Sequence, residues 1–290
     1  MNNNHPSLFD EDIPYTTLDE NTLSPQQKKD NWEIGIGLQA TDGLSASHYL
    51  MSLANEHING TITYKEAQAS LNTYYRLKKS EPRQEEADVV AVRIAEILSQ
   101  TSFSLNPHTY QNYHKQLFFG IADVDFPTGS YRQVNLAKAE EVLQGESVIY
   151  ADFRHIAQTL GYDFEEERRK ERTYSKMTDK TVVMSVKDFM SRIWQAHPFV
   201  EGNTRTTAVF IIKYLRSLGF EVTNEPFHKH AKFFRDALVL DNAPRRMRRS
   251  VFLEQFMENL CLAGEHPLDR HEMLADVTPS TRPPSKQTHP

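Results

Sequence analysis

A single cysteine, Cys261, in 290 residues excludes an internal disulfide, and no Cys/His spacing in the chain resembles a zinc site. Cys261 itself reads as a small buried hydrophobe near a helix end. Nowhere do about 18 apolar residues run together, so no membrane span is expected. The opening stretch MNNNHPSLFDEDIPYTT has no basic residue and no apolar run. That argues against a secretory signal and makes the cytoplasm the expected location. An excess of positive charge is also missing. With 33 Lys and Arg against 39 Asp and Glu, the net charge is -6, which lacks the electrostatic footprint of a general nucleic-acid binder. No G-x-x-x-x-G-K-[ST] loop and no kinase motif set occurs. Gly35-Ile-Gly37-Leu-Gln-Ala40 fits the letters of a dinucleotide fingerprint, but no strand clearly precedes it and no βαβ unit surrounds it.

What is present is helical periodicity between two polar ends. Residues 1–28 read as a mobile tail, and the stretch from Gly264 through DVTPSTRPPSKQTHP as another. Ser45 or Ser47 is placed to cap a helix carrying Tyr49, Leu50, Leu53 and Ala54, ended by Asn59-Gly60. Thr63 and Glu66 form a capping-box pattern opening a helix through Leu71 and Tyr75. Apolar spacing predicts further helices over 86–100, 151–161, 183–196, 204–218, 228–239 and 248–262. Residues 129–150 differ. Val134 and Leu136 alternate with polar neighbours, Gln144-Gly145 is a turn pair, and Val148-Ile149-Tyr150 favours a strand. The expected class is therefore mostly α with a short β-hairpin.

The chemistry concentrates between two of those helices, in His197-Pro-Phe-Val-Glu-Gly-Asn-Thr-Arg205. His197 and Glu201 have the spacing of a helical metal pair, but Pro198 and Gly202-Asn203 break any helix there. The stretch is a loop entering a helix N-terminus, where free N–H groups and positive potential bind anions. Gly202 allows close backbone approach, Asn203 tolerates a left-handed turn or offers its amide, and Thr204 is placed to cap. A cation such as Arg205 is disfavoured in a first helical turn by roughly 0.3–1 kcal/mol, unless a phosphate reverses the local sign. Glu201 beside a phosphate suits Mg²⁺, and His197 can take a proton from a hydroxyl. Phe199 reads as a core anchor for the loop. The ensemble points to phosphoryl or nucleotidyl transfer.

HPFVEGNTR resembles the Fic family signature, His-Pro-Phe-x-(Asp/Glu)-Gly-Asn-x-Arg-x-x-Arg, and Gly129-Ser-Tyr131-Arg132-Gln-Val134-Asn135 is similar to the family segment leading into its β-hairpin flap. The resemblance spans about residues 108–262. It implies a Fic-type helical core that moves AMP from Mg·ATP to a Ser, Thr or Tyr hydroxyl of a target protein. His197 would be the base, Glu201 the Mg²⁺ carboxylate, and Gly202, Asn203, Thr204 and Arg205 the nucleotide-phosphate site. Tyr131, Arg132, Val134 and Asn135 would belong to the flap that docks the target by strand pairing.

Residues 32–75 resemble the helical antitoxin-type module that accompanies some Fic proteins. That resemblance implies a division into tail (1–28), regulatory helical module (29–104), Fic domain (105–263) and tail (264–290). The module ordinarily inhibits through Ser/Thr-x-x-x-Glu-Gly/Asn, its glutamate pairing with the signature's second arginine. Here that arginine is Ala208, and the nearest inhibitory match is Leu38-Gln-Ala-Thr-Asp42-Gly43. Asp42 is thus the candidate regulatory residue, with its usual partner gone; a plain turn at Asp42-Gly43 is the other reading. The partners implied are a nucleotide, a target protein and, as an open question, a second copy of the chain, with no nucleic acid or membrane. Two alternatives stand beside AMP transfer: a nucleotide-binding regulatory protein weak in transfer, or transfer of a different phosphate-containing group. Of the remaining features, His228-Lys-His230 and the charge run Glu165 to Arg172 read as solvated. Arg245-Arg246-Met-Arg248-Arg249 reads as a solvated helix start that could also steer an acidic partner.

Overall fold

The computed structural model describes residues 23–78, 83–122 and 124–277. Among them run eleven α-helices: α1 (Pro25–Gly37), α2 (His48–Ile58), α3 (Tyr64–Leu77), α4 (Gln84–Ser99), α5 (Pro107–Phe118), α6 (Ile156–Glu171), α7 (Asp179–Ala196), α8 (Asn203–Ser217), α9 (Glu225–Asp241), α10 (Val251–Cys261) and α11 (Arg270–Val277). Short polar side chains set several of the starts. Ser24, Ser47, Thr63, Asn106 and Thr178 each accept the N–H of the third residue of the following helix. Ser24 with Gln27, and Thr63 with Glu66, close full capping boxes.

α8 is the centre of the molecule, buried without a break from Asn203 to Leu215. α5 and α7 flank it, α6 and α10 pack on α7, and α1 lies against α4 and α9. Trp32 and Leu71 of the first helices belong to the same apolar cluster as Phe210 and Leu253, so one core runs through both halves of the chain. Gly35 and Gly37 explain themselves here. A Cβ on Gly35 would lie 2.5 Å from the Ala91 carbonyl oxygen, and one on Gly37 2.4 Å from that of Phe227. The G-x-G pattern is thus a helix-packing device.

Three helices were not expected. α1 begins inside the stretch read as an N-terminal tail, α5 carried no prediction, and α11 lies within the stretch read as a C-terminal tail. Residues 1–22 and 278–290 of those two tails lie outside the described residues.

The β-hairpin is corrected. No β-strand occurs among the described residues, which include all of 129–150. The predicted turn does form: Gln144 and Gly145 both adopt positive φ, and the Glu140 N–H donates to the Glu146 carbonyl at 2.9 Å. Beyond it, side chains take the groups a ladder would need. The Lys138 N–H goes to Ser147 Oγ, and the Phe153 N–H to Asn135 Oδ1. Arg132 donates to the carbonyls of Val134 and Ala151. With those donors and acceptors engaged, residues 129–153 form an extended flap with no strand pairing inside it.

Candidate functional site

α7 ends at His197, whose φ of 46° and ψ of 58° turn the chain out of the helix. A left-handed conformation costs a non-glycine residue roughly 1–2 kcal/mol, so neighbouring groups must hold it. They do. The His197 N–H bonds Trp194 O at 3.0 Å, and the Arg132 guanidinium donates to His197 O at 2.7 Å. The Arg132 N–H also bonds Pro198 O at 2.8 Å. Arg132 is only 1% exposed, and all its side-chain partners are backbone carbonyls, among them Ala196 O at the α7 C-terminus, where a cation is favoured. It positions the loop and offers nothing to a docking target. Tyr131 is half-buried near Phe199, while Val134 and Asn135 do face outward.

The loop then closes on itself. The Asn203 amide accepts from the Phe199 N–H at 3.0 Å and donates to Phe199 O at 2.9 Å. Phe199 is fully buried and stacks on His114, ring centroids 3.8 Å apart, which anchors the loop in the core. His114 bridges two segments: its Nδ1 accepts the Gly129 N–H at 2.8 Å, which leaves Nε2 to donate to Glu201 O at 3.1 Å. Burial first, and the nearby Arg205 charge, push the His114 imidazole down to about 4 despite the opposing Glu201 contact, so it is a neutral strut at physiological pH.

Gly202 initiates α8 with φ of 74°, and an added Cβ would meet the Phe118 ring at 2.4 Å. Conformation and packing both demand glycine there. As the N-cap, Gly202 supplies no side-chain acceptor. Thr204 is not the cap: its Oγ1 instead receives the Trp194 indole N–H at 3.0 Å. The first turn of α8 therefore has no side-chain cap, a geometry suited to an anion. The Glu201 carboxylate is exposed beside it.

His197 lies under the flap. Tyr150 stacks on its imidazole at 4.0 Å between centroids, and Trp194 meets it edge-on at 5.5 Å. Its Nδ1 is buried with no hydrogen-bond partner. Burial, then the charges of Arg132, Lys138 and Arg235, push the imidazole down to about 3, the Trp194 contact opposing them.

Arg205 does not stand open to solvent. It is fully buried, with Nη2 2.6 Å from Glu86 Oε1, Nη1 3.1 Å from Gln39 Oε1 and Nε 2.7 Å from Asp42 Oδ2. The Asp42 contact is an ion pair whose N–H points off the N···O line, since Nε makes no hydrogen bond. The Phe118 ring lies over the guanidinium at 4.8 Å. Glu86 is also held by Arg83, at 2.7 Å. Burial raises the Glu86 carboxyl, but Arg83 and Arg205 together override it and leave its pKa below the ordinary glutamate value. Asp42, from the tight turn at Leu38–Asp42, thus meets the first signature arginine where Ala208, fully buried, replaces the second.

Glu86, Gln39, His114 and Tyr150 were not singled out by sequence reasoning. Glu86 read as a helix start and Tyr150 as a strand former. Their partners stand 119, 166, 87 and 47 residues away in the chain (His197 minus Tyr150 for the last), beyond any local pattern.

Residues 104–215 match the model of the Fic/DOC family. The match takes in α5, the flap, α6, α7, the loop and most of α8. No curated protein and no solved structure matches the chain.

Proposed function

Because residues 104–215 match the Fic/DOC family model, we propose that the chain transfers AMP from Mg·ATP to a Ser, Thr or Tyr hydroxyl of a target protein. The observation that carries this reading is the juxtaposition, in one nine-residue loop, of a neutral His197 and an uncapped helix N-terminus. His197 takes the proton of the target hydroxyl. The hydroxyl oxygen forms its bond to the α-phosphorus, and the bond from that phosphorus to the pyrophosphate breaks, the pyrophosphate leaving with its electron pair. The N–H groups of Asn203, Thr204 and Arg205 receive phosphate oxygens.

A magnesium ion would be held by Glu201. Among the described residues no three His, Cys, Asp or Glu side chains converge on a metal position, and one exposed carboxylate completed by phosphate oxygens suits magnesium. When bound, the ion neutralises charge on the phosphates. Arg205 would join the phosphate site only after leaving Glu86 and Asp42.

That burial also favours a second reading, nucleotide binding with weak transfer, or transfer of a different phosphate-containing group, since neither signature arginine position offers a free cation. Incubation with labelled ATP, other nucleotides and Mg²⁺, comparing the wild type with His197→Ala, separates the readings. AMP label on protein that disappears in His197→Ala is the expected result. Nucleotide binding without any His197-dependent label on protein would overturn AMP transfer.

A further inference from the structure

The imidazole of His197 is confined by rings from two directions. Tyr150 lies face to face with it, 24° from parallel at 4.0 Å, and Trp194 stands at 87° against its edge at 5.5 Å. Trp194 is fixed in turn, through its indole N–H, to Thr204 at the head of α8. Tyr150 comes from the flap, and the stretch around it is tied down on both sides. Glu140, before the turn, pairs with Arg235 of α9 at 2.8 Å, and the Ala151 carbonyl accepts from Arg132. Arg132 also holds the His197 carbonyl, so flap and base share one anchor.

The Tyr150 hydroxyl is buried toward Glu140, and the contact with His197 is made by the ring. An aromatic stack contributes roughly 0.5–1.5 kcal/mol beyond area burial.

We propose that Tyr150 is a positioning residue for His197: its ring fixes the plane of the imidazole against Trp194 and keeps water from that face. This rests on His197 being the base of the transfer. The charges acting most on His197 are Arg132 and Lys138 from the flap and Arg235 from α9, all cationic, while the Glu140 carboxylate pairs with Arg235 and faces Tyr150. Shielding and surrounding charge therefore act in the same direction. The imidazole of the unliganded protein stays deprotonated at neutral pH. Removing the ring admits water, and the imidazole returns toward its ordinary value near 6.5.

The test uses the full chain with Tyr150→Phe and Tyr150→Ala, read in two ways. Imidazole NMR titration of the unliganded protein, with the His197 signal identified by its absence in His197→Ala, needs no activity. Transfer rate against pH needs the proposed reaction. In the wild type and Tyr150→Phe, His197 should remain neutral down to pH 5, and the rate should show no histidine limb above it. In Tyr150→Ala, His197 should titrate at a higher pH than in the wild type, so the rate should fall on acidification where that of the wild type stays flat. Its kcat should fall on the order of ten- to a hundredfold with nucleotide KM unchanged, the effect of a misplaced base. An unmoved His197 titration in Tyr150→Ala, or a Tyr150→Phe variant as impaired as Tyr150→Ala, would overturn the proposal. If His197→Ala leaves transfer intact, the catalytic reading fails separately, while the NMR titration still decides whether the ring shields the imidazole.

Discussion

Replacing Glu86 by Gln should unfold the protein more easily and at the same time loosen its hold on Arg205. The side chain keeps its size and loses its charge, so packing is preserved while a fully buried guanidinium loses its nearest carboxylate, 2.6 Å away. Removing one partner of a buried pair costs about 3–5 kcal/mol. Asp42 remains at 2.7 Å as a counter-charge, which places the expected loss at the low end, about 3 kcal/mol. For a chain of this length that corresponds to a melting temperature lower by about 6 °C. Asp42→Asn, at a site whose carboxylate is 13% exposed, should cost less, about 1–2 kcal/mol. The double variant should depart from additivity by more than about 0.5 kcal/mol, because both carboxylates act on one cation.

The pH dependence has a definite sign. The folded pKa of Glu86 lies below the ordinary value of 4.5, so its contribution is complete above that pH and is lost as pH falls through the lower folded value. Glu86→Gln should therefore remove stability at pH 7, and the difference from wild type should shrink as pH falls below 4.5. Thermal unfolding across pH, with calorimetric binding of ATP on the same samples, measures both effects. Under the proposed function the freed Arg205 should bind nucleotide more tightly. Unchanged melting at pH 7 in Glu86→Gln would refute the claim that this buried pair stabilises the packing of α4 on α8. Lower stability with no gain in nucleotide affinity would leave Arg205 a structural residue and remove it from the phosphate site.

Gly202→Ala should destabilise the protein by about 1–3 kcal/mol, since its φ of 74° and the Phe118 ring 2.4 Å from the new Cβ both oppose it; thermal melting measures the loss. Glu201→Gln, at an exposed site, should change stability by less than about 0.5 kcal/mol while raising the Mg²⁺ concentration needed for transfer; an unchanged Mg²⁺ titration removes Glu201 from the metal role.

Much of the helical frame is legible without coordinates, because it rests on local chemistry. The Thr63–Glu66 capping box and the Asn59-Gly60 stop act within a few residues of themselves, and each occurs where the pattern puts it. α1 escapes that logic. Packed against both α4 and α9, it buries Lys28, Asn31 and two glycines along with Trp32 and Ile34, so no apolar stripe marks it. The flap fails for a different reason. Alternation predicts which residues are extended, but whether extended segments pair depends on who takes their N–H and C=O groups. Arg132, Asn135 and Ser147 took them.

At the candidate site the division is similar. The loop from His197 to Arg205 could be read as a base, a carboxylate and a helix entry because those roles lie within nine consecutive residues. Its order alone dictates the break at Pro198 and the α8 N-terminus. Tertiary structure decided what each group faces. It turned Arg132 inward onto backbone carbonyls, set Tyr150 on the imidazole, and buried Arg205 against Glu86, Asp42 and Gln39. The physical reason is range. Backbone preference and capping act over a few residues, whereas burial and charge pairing act through space between segments more than a hundred residues apart.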